Sequence, residues 1–456
     1  MPTNRQSGGS PVRRFFKTLY LSNRFFFTLA LCVLGFFACY IFDNFLFVMV
    51  VASGVLAVFL LLDIFSLYRQ KKGLQAFRNC PERLSNGDMN TISLSITNKY
   101  PFRVGITVVE EVPFQFQKRD LVFKTSLGVN KSEALYYDLR PTERGLYRFG
   151  AINIYAAGLL GLVTRRYIFE EEGRDVAVYP SFLEMHKYEL LAASHRLTDY
   201  GVKKIRRIGH ATEFDHIKHY VLGDDPRTIN YKATARMNQL MVNTYQEEKS
   251  QPVYCLIDKG RTMKMPFNGM TLLDYAINST LMVCTTALNK GDRAGLITFS
   301  RDIDEILPAD RQRRQRVKIL ETLYAQETDF KESDYERLYA TVRRKLSQRS
   351  LIILYTNFET VNGMRRQLKY LSHMAKDHLI LVAFFLNSEF NEVLEATPAN
   401  LEETFRKGMA EKLWNDKHLI VKELNRYGIY TILSKPENLT IDSINKYLEF
   451  KARGLI

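Results

Sequence analysis

The chain has 456 residues, of which 46% are hydrophobic and 25% charged. This length and composition predict two or three globular domains and exclude wholesale disorder. The net charge of +15 permits attraction to anionic lipid, nucleic acid or an acidic partner without choosing among them. The cysteines show no metal-ligand spacing and indicate a reduced inventory rather than a disulfide framework; they are Cys32, Cys39, Cys80, Cys255 and Cys284.

Two apolar runs lie near the N-terminus, after a segment spanning residues 1–24. They cover residues 25–42 and 45–67 and are separated by the polar pair Asp43-Asn44. A helix needs about 20 apolar residues to cross a bilayer. The pattern therefore predicts a two-helix transmembrane hairpin over 25–67. Asp63 falls close to the end of the second run, where we expect an interfacial residue.

Basic residues predict the orientation of this hairpin. They flank both outer ends and are missing from the turn; they are Arg13, Arg14, Lys17, Arg24, Arg69, Lys71 and Lys72. The positive-inside rule then puts both termini and the soluble domains in the cytoplasm. The alternative is a cleaved signal peptide or a lipoprotein signal ending at Cys32 or Cys39. This alternative fits poorly, because Leu31 is too large for the residue before a lipoprotein cysteine at position 32. In addition, a second run of spanning length would remain after cleavage.

Short runs with alternating polarity follow over residues 75–180. Their spacing and turn signals predict an antiparallel β-sandwich. The region contains no histidine, which argues against a metal site or a nucleophilic triad there. Residues 140–150 are basic and aromatic, but a strand with a Pro-to-Gly turn explains them better than nucleic-acid contact.

Residues 181–250 form a connector, of which 181–219 are predicted to be helical or irregular. Within it, Asp225-Pro226 is a favourable helix start, since aspartate caps free amides and proline suits the first turn. Charged residues nearby predict either an internal ion-pair network or a surface for carboxylate or phosphate groups; they are Asp224, Arg227, Lys232 and Arg236. His210, His216 and His219 form the only dense cluster of titratable residues together with Asp224 and Asp225, and the pair His216 and His219 could share a helix face, which would also permit metal binding.

Residues 251–456 alternate between strands and helices. Strands are predicted at 252–258, 293–300, 350–358, 379–387 and 428–434, and helices at 271–288, 311–325, 334–347, 362–377, 440–452 and twice within 389–426. This order predicts a doubly wound, mostly parallel α/β sheet, which binds ligands beyond the carboxyl ends of its strands. No glycine-rich phosphate loop follows the first strand. Residues 239–246 are strand-like, but they should not pair with 252–258, because the first strand of such a sheet is central.

Two stretches carry a family resemblance. "IDKGRTM" (257–263) is similar to the metal-ion-dependent adhesion site that ends the first strand of von Willebrand factor A domains. "EFDHIKHYVLGDDPRTINYKATAR" (213–236) resembles the signature of the bacterial "domain of unknown function 58" family. The resemblance implies a non-enzymatic protein of the bacterial inner membrane, with a membrane hairpin, a β-sandwich and a von Willebrand factor A-like domain. It also implies a MoxR-type AAA+ ATPase as a partner, since the genes are often neighbours.

The adhesion-site pattern is degenerate here. Asp258 takes the first ligand position, but Gly260 replaces a hydroxyl and Asn357 replaces an aspartate, while Thr262 could supply the second hydroxyl. Hard cations prefer oxygen ligands that include one or two carboxylates. We therefore expect weak or no binding of Mg²⁺ or Mn²⁺ and a role for these residues in capping loops.

The leading hypothesis is a membrane-anchored interaction protein. Lys259 and Arg261 are predicted to line a partner crevice and to contact an acidic face of the ATPase. One alternative is binding to an anionic lipid surface through the basic clusters at 203–207 and 311–316. Another is an unrecognised metal-dependent enzyme. Nucleic-acid binding is not expected, because no nucleic-acid-binding fold is recognised.

Overall fold

A computed structural model describes most of the chain and divides it into two compact units, Met1–Tyr179 and Pro180–Ile456. The described residues are 11–41, 46–118, 121–170, 175–183, 213–221, 224–246, 250–328, 330–386, 398 and 400–456. The basic cluster at 203–207 and His210 lie outside them.

The first unit begins with helical segments. These are α1 (Pro11–Thr18), α2 (Asn23–Ile41) and α3 (Leu46–Tyr68), and the short strand β1 (Leu19–Leu21) lies between α1 and α2. Among the described helices, α3 alone is long and apolar enough to cross a membrane. Helix α2 packs against it closely, since a Cβ at Gly35 would lie 2.7 Å from Met49 Sδ. The structure thus supports one membrane-spanning segment by length and composition, where the sequence predicted two.

The rest of the first unit consists of strands around a single apolar core. They are β2 (Leu74–Asn79), β3 (Arg83–Ser85), β4 (Asn90–Asn98), β5 (Val104–Glu110), β6 (Val122–Leu127), β7 (Ser132–Leu139), β8 (Gly145–Arg148), β9 (Ile152–Ala157), β10 (Val163–Phe169) and β11 (Asp175–Tyr179). The sheet orders are β1-β10-β9-β5-β6, β3-β11-β8 and β2-β4-β7. Every pairing is antiparallel except β3 with β11. Alternate side chains point into the core, as in β4, where Ile92, Leu94 and Ile96 are fully buried.

The second unit contains a six-stranded sheet of order β18-β17-β14-β19-β20-β21. Its strands are β14 (Pro252–Asp258), β17 (Arg293–Phe299), β18 (Ile303–Asp310), β19 (Leu351–Tyr355), β20 (Leu379–Phe385) and β21 (Tyr430–Ser434), and the small hairpin β15 (Pro266–Phe267) and β16 (Met270–Thr271) follows β14. All pairs are parallel except the edge strand β18 with β17. The predicted mostly parallel sheet is confirmed. Strand β14 is central, between β17 and β19.

Helices cover both faces of this sheet. They are α5 (Leu272–Asn289), α6 (Arg313–Tyr324), α7 (Tyr335–Lys345), α8 (Val361–Asp377), α9 (Leu401–Arg426) and α10 (Leu439–Arg453). One core packs α5, α6 and α10 on one face, and another packs α7, α8 and α9 on the other. Where two helices were predicted over 389–426, the described part contains α9 alone, and 387–397 lie outside it.

The connector contains a separate two-stranded sheet. Strand β12 (Glu213–His219) pairs antiparallel with β13 (Met241–Gln246), and α4 (Tyr231–Met237) lies between them. The prediction of helical or irregular structure up to residue 219 is therefore wrong for 213–219. The shared helix face of His216 and His219 is wrong with it, because a strand repeats every two residues. Residues 241–246 indeed do not pair with β14.

Candidate functional site

Asp258 ends the central strand of the six-stranded sheet. The carboxyl ends of its parallel neighbours β17 and β19 meet at the same edge, where open α/β sheets place their ligands. The residue is only 3% exposed. A carboxyl group so deeply buried must be paired with hydrogen-bond donors.

Four groups donate hydrogen bonds to the Asp258 carboxylate. Oδ1 accepts from the Gly260 amide at 2.8 Å and from the Ser333 hydroxyl. Oδ2 accepts from Thr356 Oγ1 at 2.7 Å and from the Tyr335 hydroxyl at 3.2 Å. Both oxygens are thus occupied by groups of the protein itself. The carboxylate ties together the ends of β14 and β19 and the segment that begins α7.

Burial governs the protonation of this cluster. It raises the pKa of Asp258 above its ordinary value, while the hydroxyls of Ser333 and Thr356 and the Gly260 amide oppose the rise. Burial also raises the pKa of Tyr335 well above its ordinary value, and the neighbouring Asp258 charge adds to this. Tyr335 is therefore a hydrogen-bond donor and not an acid at physiological pH.

Ser333 supplies the hydroxyl that Gly260 lacks. A Cβ added at Gly260 would overlap the Ser333 hydroxyl and lie 3.2 Å from the Lys331 carbonyl oxygen. The turn after β14 and the segment before α7 are also joined by a hydrogen bond from the Arg261 amide to the Lys331 carbonyl, at 3.0 Å. A hydroxyl from a distant part of the sequence therefore fills the position that a serine at residue 260 would occupy.

A buried ammonium group holds Asn357. Lys417 of α9 donates through Nζ to Asn357 Oδ1 at 2.6 Å and is 7% exposed. Its Nζ lies 5.6 Å from the centre of the Phe384 ring. Burial lowers the pKa of Lys417 to about 8, and the charge of Glu359 partly opposes this.

The donor set at this edge does not fit a divalent cation. Asp258 is saturated by four donors, and the Asn357 oxygen, which replaces the carboxylate of the resembled family, accepts from an ammonium group. Thr262 is half-buried on the turn after Gly260 and is not one of the four donors. Within the described part of the chain, no group of three or more His, Cys, Asp or Glu is placed to hold a metal. A cation would have to displace internal hydrogen bonds and compete with a positive charge.

Lys259 and Arg261 differ in their availability. The Lys259 ammonium forms an ion pair with Asp304 at 2.6 Å, and its side chain is 11% exposed. The expectation that Lys259 offers a charge to a partner is therefore corrected. Arg261 is exposed.

An open polar cleft of about 610 Å³ adjoins the Asp258 cluster. It shares Ser333 and Tyr335 with that cluster and carries charges of both signs; other lining residues include Arg301, Lys331, Glu332 and Arg366. Arg366 and Glu332 form an ion pair at 3.5 Å. A mixed, open surface of this kind suits recognition of another macromolecule better than enclosure of a small substrate.

The signature residues lie on the connector hairpin. Asp225 accepts from the Arg227 amide and caps a 3₁₀ turn, Pro226–Thr228, while Asn230 caps α4. The predicted helix start is thus a single turn. Asp224 pairs with Lys218 at 2.8 Å. The remaining basic members are exposed; they are Arg227, Lys232 and Arg236.

Sequence reasoning missed most of the groups around Asp258. Thr356 directly precedes Asn357, so the end of β19 could have suggested it. Ser333 precedes Asp334, which caps α7 and marks a helix start, but nothing in that pattern points to residue 258. Lys417 lies in the middle of a long helix rich in charged residues, and no local signal distinguishes it.

Comparisons with known proteins match part of the chain. Residues 216–390 match the model of the family described as "Protein of unknown function DUF58". The "Uncharacterized protein YeaD" of Bacillus subtilis (strain 168) is 24% identical over 280 residues. That match covers 59% of this chain and 64% of the relative, which is less than two thirds of its length. Residues 216–390 are thus similar to the DUF58 family, and this similarity covers less than half of the chain.

Solved structures give distant likenesses. The conserved hypothetical protein BatB from Bacteroides thetaiotaomicron is 13% identical, with a TM-score of 0.31, over 44% of this chain and 99% of its own. The CARDB domain of the PF1109 protein from Pyrococcus furiosus is 18% identical, with a TM-score of 0.17, over 23% of this chain and 86% of its own. At these TM-scores neither likeness carries an argument.

Proposed function

We propose that this protein is a membrane-anchored, non-enzymatic interaction protein whose von Willebrand factor A-like domain recognises cytoplasmic partners. The observation that carries the proposal is the saturated Asp258 carboxylate. A catalytic base, a nucleophile or a metal ligand needs a free lone pair directed at a substrate or ion. Asp258 instead holds the recognition edge of the sheet rigid.

Membrane anchoring is supported by α3, which is apolar along its length. Its C-terminal end is followed by Arg69, Lys71 and Lys72, and Arg24 lies at the start of α2. In our proposal the two helices cross a bacterial inner membrane as a hairpin, and both soluble regions lie in the cytoplasm.

The proposed partner is a MoxR-type AAA+ ATPase with an acidic docking face. The family resemblance suggests the partner, and the exposed basic residues suggest the chemistry. Arg261 and Arg301 are exposed, and Arg301 lines the cleft beside the Asp258 cluster. Arginine at a rim steers association with a carboxylate-rich surface and adds charge-assisted hydrogen bonds.

The test is a pull-down of a MoxR-type AAA+ ATPase on the full chain in detergent, with ATP, ADP or no nucleotide. Arg261→Glu should reduce retention by about tenfold, which corresponds to about 1.4 kcal/mol of binding free energy. Arg349→Glu is the matched control, because Arg349 is also exposed but precedes β19 at the opposite edge of the sheet. Absence of retention in every nucleotide state would reject the ATPase. Equal retention by both variants would remove the carboxyl edge from the interface.

A further inference from the structure

The loop that joins β9 to β10 packs against the apolar helix α3. Asp63 lies five positions before the last residue of α3 and is 1% exposed. The sequence predicted an interfacial residue here, and the structure buries its carboxylate against the loop. At about 1.5 Å per residue, Asp63 and the loop lie roughly 7 Å inside the end of the apolar helix.

Asp63 satisfies the backbone of this loop. Its Oδ1 accepts from the Leu160 amide at 3.0 Å, and its Oδ2 accepts from the Leu162 and Val163 amides at 2.9 and 3.0 Å. A Cβ at Gly158 would overlap the carboxylate, so the close approach requires glycine there. Both carboxylate oxygens of this acidic residue in an apolar helix thus accept from main-chain amides.

Other groups satisfy most of the remaining backbone of the loop. The Gly158 amide donates to the Val163 carbonyl at 2.9 Å, and the Gly161 amide donates to the Gly158 carbonyl at 3.2 Å. Ser22 donates its hydroxyl to the Gly161 carbonyl at 2.6 Å and its amide to the Leu162 carbonyl at 2.9 Å. Irregular backbone is costly next to hydrocarbon unless such bonds are made internally.

The side chains at the tip of the loop are apolar and point outward. Leu159 is 65% exposed and Leu160 is 41% exposed. Two side chains of α3 within one helical turn before Asp63 are also exposed, Leu62 at 54% and Phe59 at 45%. The loop therefore extends the lipid-facing surface of the helix. Arg24 lies beside Gly161, its Nη1 3.1 Å from where a Cβ would be, and is suited to contact phosphate groups.

We propose that residues 158–162 form an apolar finger that inserts into the cytoplasmic interface of the bilayer beside α3. The occupant of its exposed face is lipid, at the boundary of headgroups and acyl chains. The inference rests on the proposed membrane anchoring by α3. It adds a second, non-helical membrane contact that belongs to the β-sandwich and fixes the sandwich against the membrane surface.

Fluorescence quenching by brominated lipids tests the finger. The only tryptophan is Trp414, so a Trp414→Phe chain, full-length and reconstituted in vesicles, receives one new tryptophan at a time. Leu159→Trp reports on the finger and Phe59→Trp reports on α3. Leu146→Trp is the matched control, because Leu146 is 61% exposed on β8 of the same unit. Bromine placed near the headgroup end of the acyl chains should quench residue 159 at least twofold and leave residue 146 unchanged.

The three positions separate the possible failures. Quenching at residue 59 without quenching at residue 159 would overturn the finger and leave the anchor intact. A finger covered by a second copy of the chain or by another protein, instead of lipid, would give this result. Equal quenching at 146 and 159 would mean that the sandwich lies on lipid without a specific finger, which also overturns the proposal. No quenching at 59 would overturn the membrane anchor itself.

Discussion

The Ser333 hydroxyl occupies the space that a side chain at Gly260 would need, and from there it donates to Asp258. The two residues lie on different segments, the turn after β14 and the approach to α7. The adhesion site of von Willebrand factor A domains has both the aspartate and its hydroxyl residue in one short motif. In this protein the hydroxyl comes from elsewhere in the chain, and it serves the carboxylate as a donor.

Restoring the family's serine at residue 260 should destabilise the protein. Gly260→Ser introduces a Cβ that overlaps Ser333, and overpacking of this kind typically costs about 1–3 kcal/mol. Adding Ser333→Gly should recover part of the loss, because it removes the clash while the new serine can donate to Asp258. Thermal unfolding of the four proteins of this double-mutant cycle measures the coupling. Additive effects would show that the two residues do not compete for one space.

Divalent cations should bind weakly or not at all. Asp258 has no free oxygen and Lys417 places a positive charge at Asn357, so titration of the full-length protein with Mg²⁺ or Mn²⁺ should give no micromolar affinity. Asp258→Ala provides the reference for adventitious sites. A micromolar isotherm that disappears in this variant would mean that the cation displaces the internal donors.

Lys417 should make stability depend on alkaline pH. Its pKa is about 8 in the folded protein and ordinarily 10.5, so between these values the unfolded chain binds more protons than the folded chain. The contribution of this residue to the free energy of unfolding therefore rises with pH across that window, by at most about 1.4 kcal/mol per pH unit. Well below pH 8 both states are protonated and the contribution is constant. Chemical denaturation at pH 7.5, 8.5 and 9.5 should show a smaller rise for Lys417→Met than for the wild type. Parallel curves would exclude a lowered pKa.

Arg165 should hold the end of α3 in place. Its Nη1 donates to the Leu67 and Gln70 carbonyls at 2.6 and 2.7 Å, and its guanidinium lies 4.6 Å from the ring centres of Tyr68 and Tyr167. Arg165→Gln removes these contacts and should cost about 2–3 kcal/mol, as for buried hydrogen bonds to a charged group. Faster amide hydrogen exchange in residues 66–72 is the readout. Arg166→Gln is the control, since Arg166 bonds to Asn153 instead; a similar increase in that variant would contradict a specific role for Arg165.

The C-terminus should lie in the cytoplasm. A fluorescent protein fused after Ile456 should be bright, and alkaline phosphatase at the same point should be inactive, because basic residues flank both outer ends of the helical region. Phosphatase activity there would reverse the orientation and remove the proposed cytoplasmic partner.

Features governed by local periodicity were predictable from the sequence. The apolar run predicted at 45–67, the alternating strands predicted at 75–180 and the alternation of strands and helices after residue 251 each follow from the pattern of residues within single segments. The connector was misread at 213–219 because strand β12 gains its partner from β13, more than twenty residues later. A short strand without its partner carries little signal of its own.

Contacts between distant segments were decided only by the tertiary structure. The sequence placed Asp258 at the carboxyl end of a central strand, but its neighbours Ser333 and Thr356 come from positions 75 and 98 residues away. Asp63 was interpreted as a tolerated charge near a membrane surface, and only the fold brings it to the amides of Leu160, Leu162 and Val163, about 100 residues further along the chain. The reason is that burial forces a polar group to find donors wherever packing supplies them, and such donors need no spacing that a local pattern could reveal.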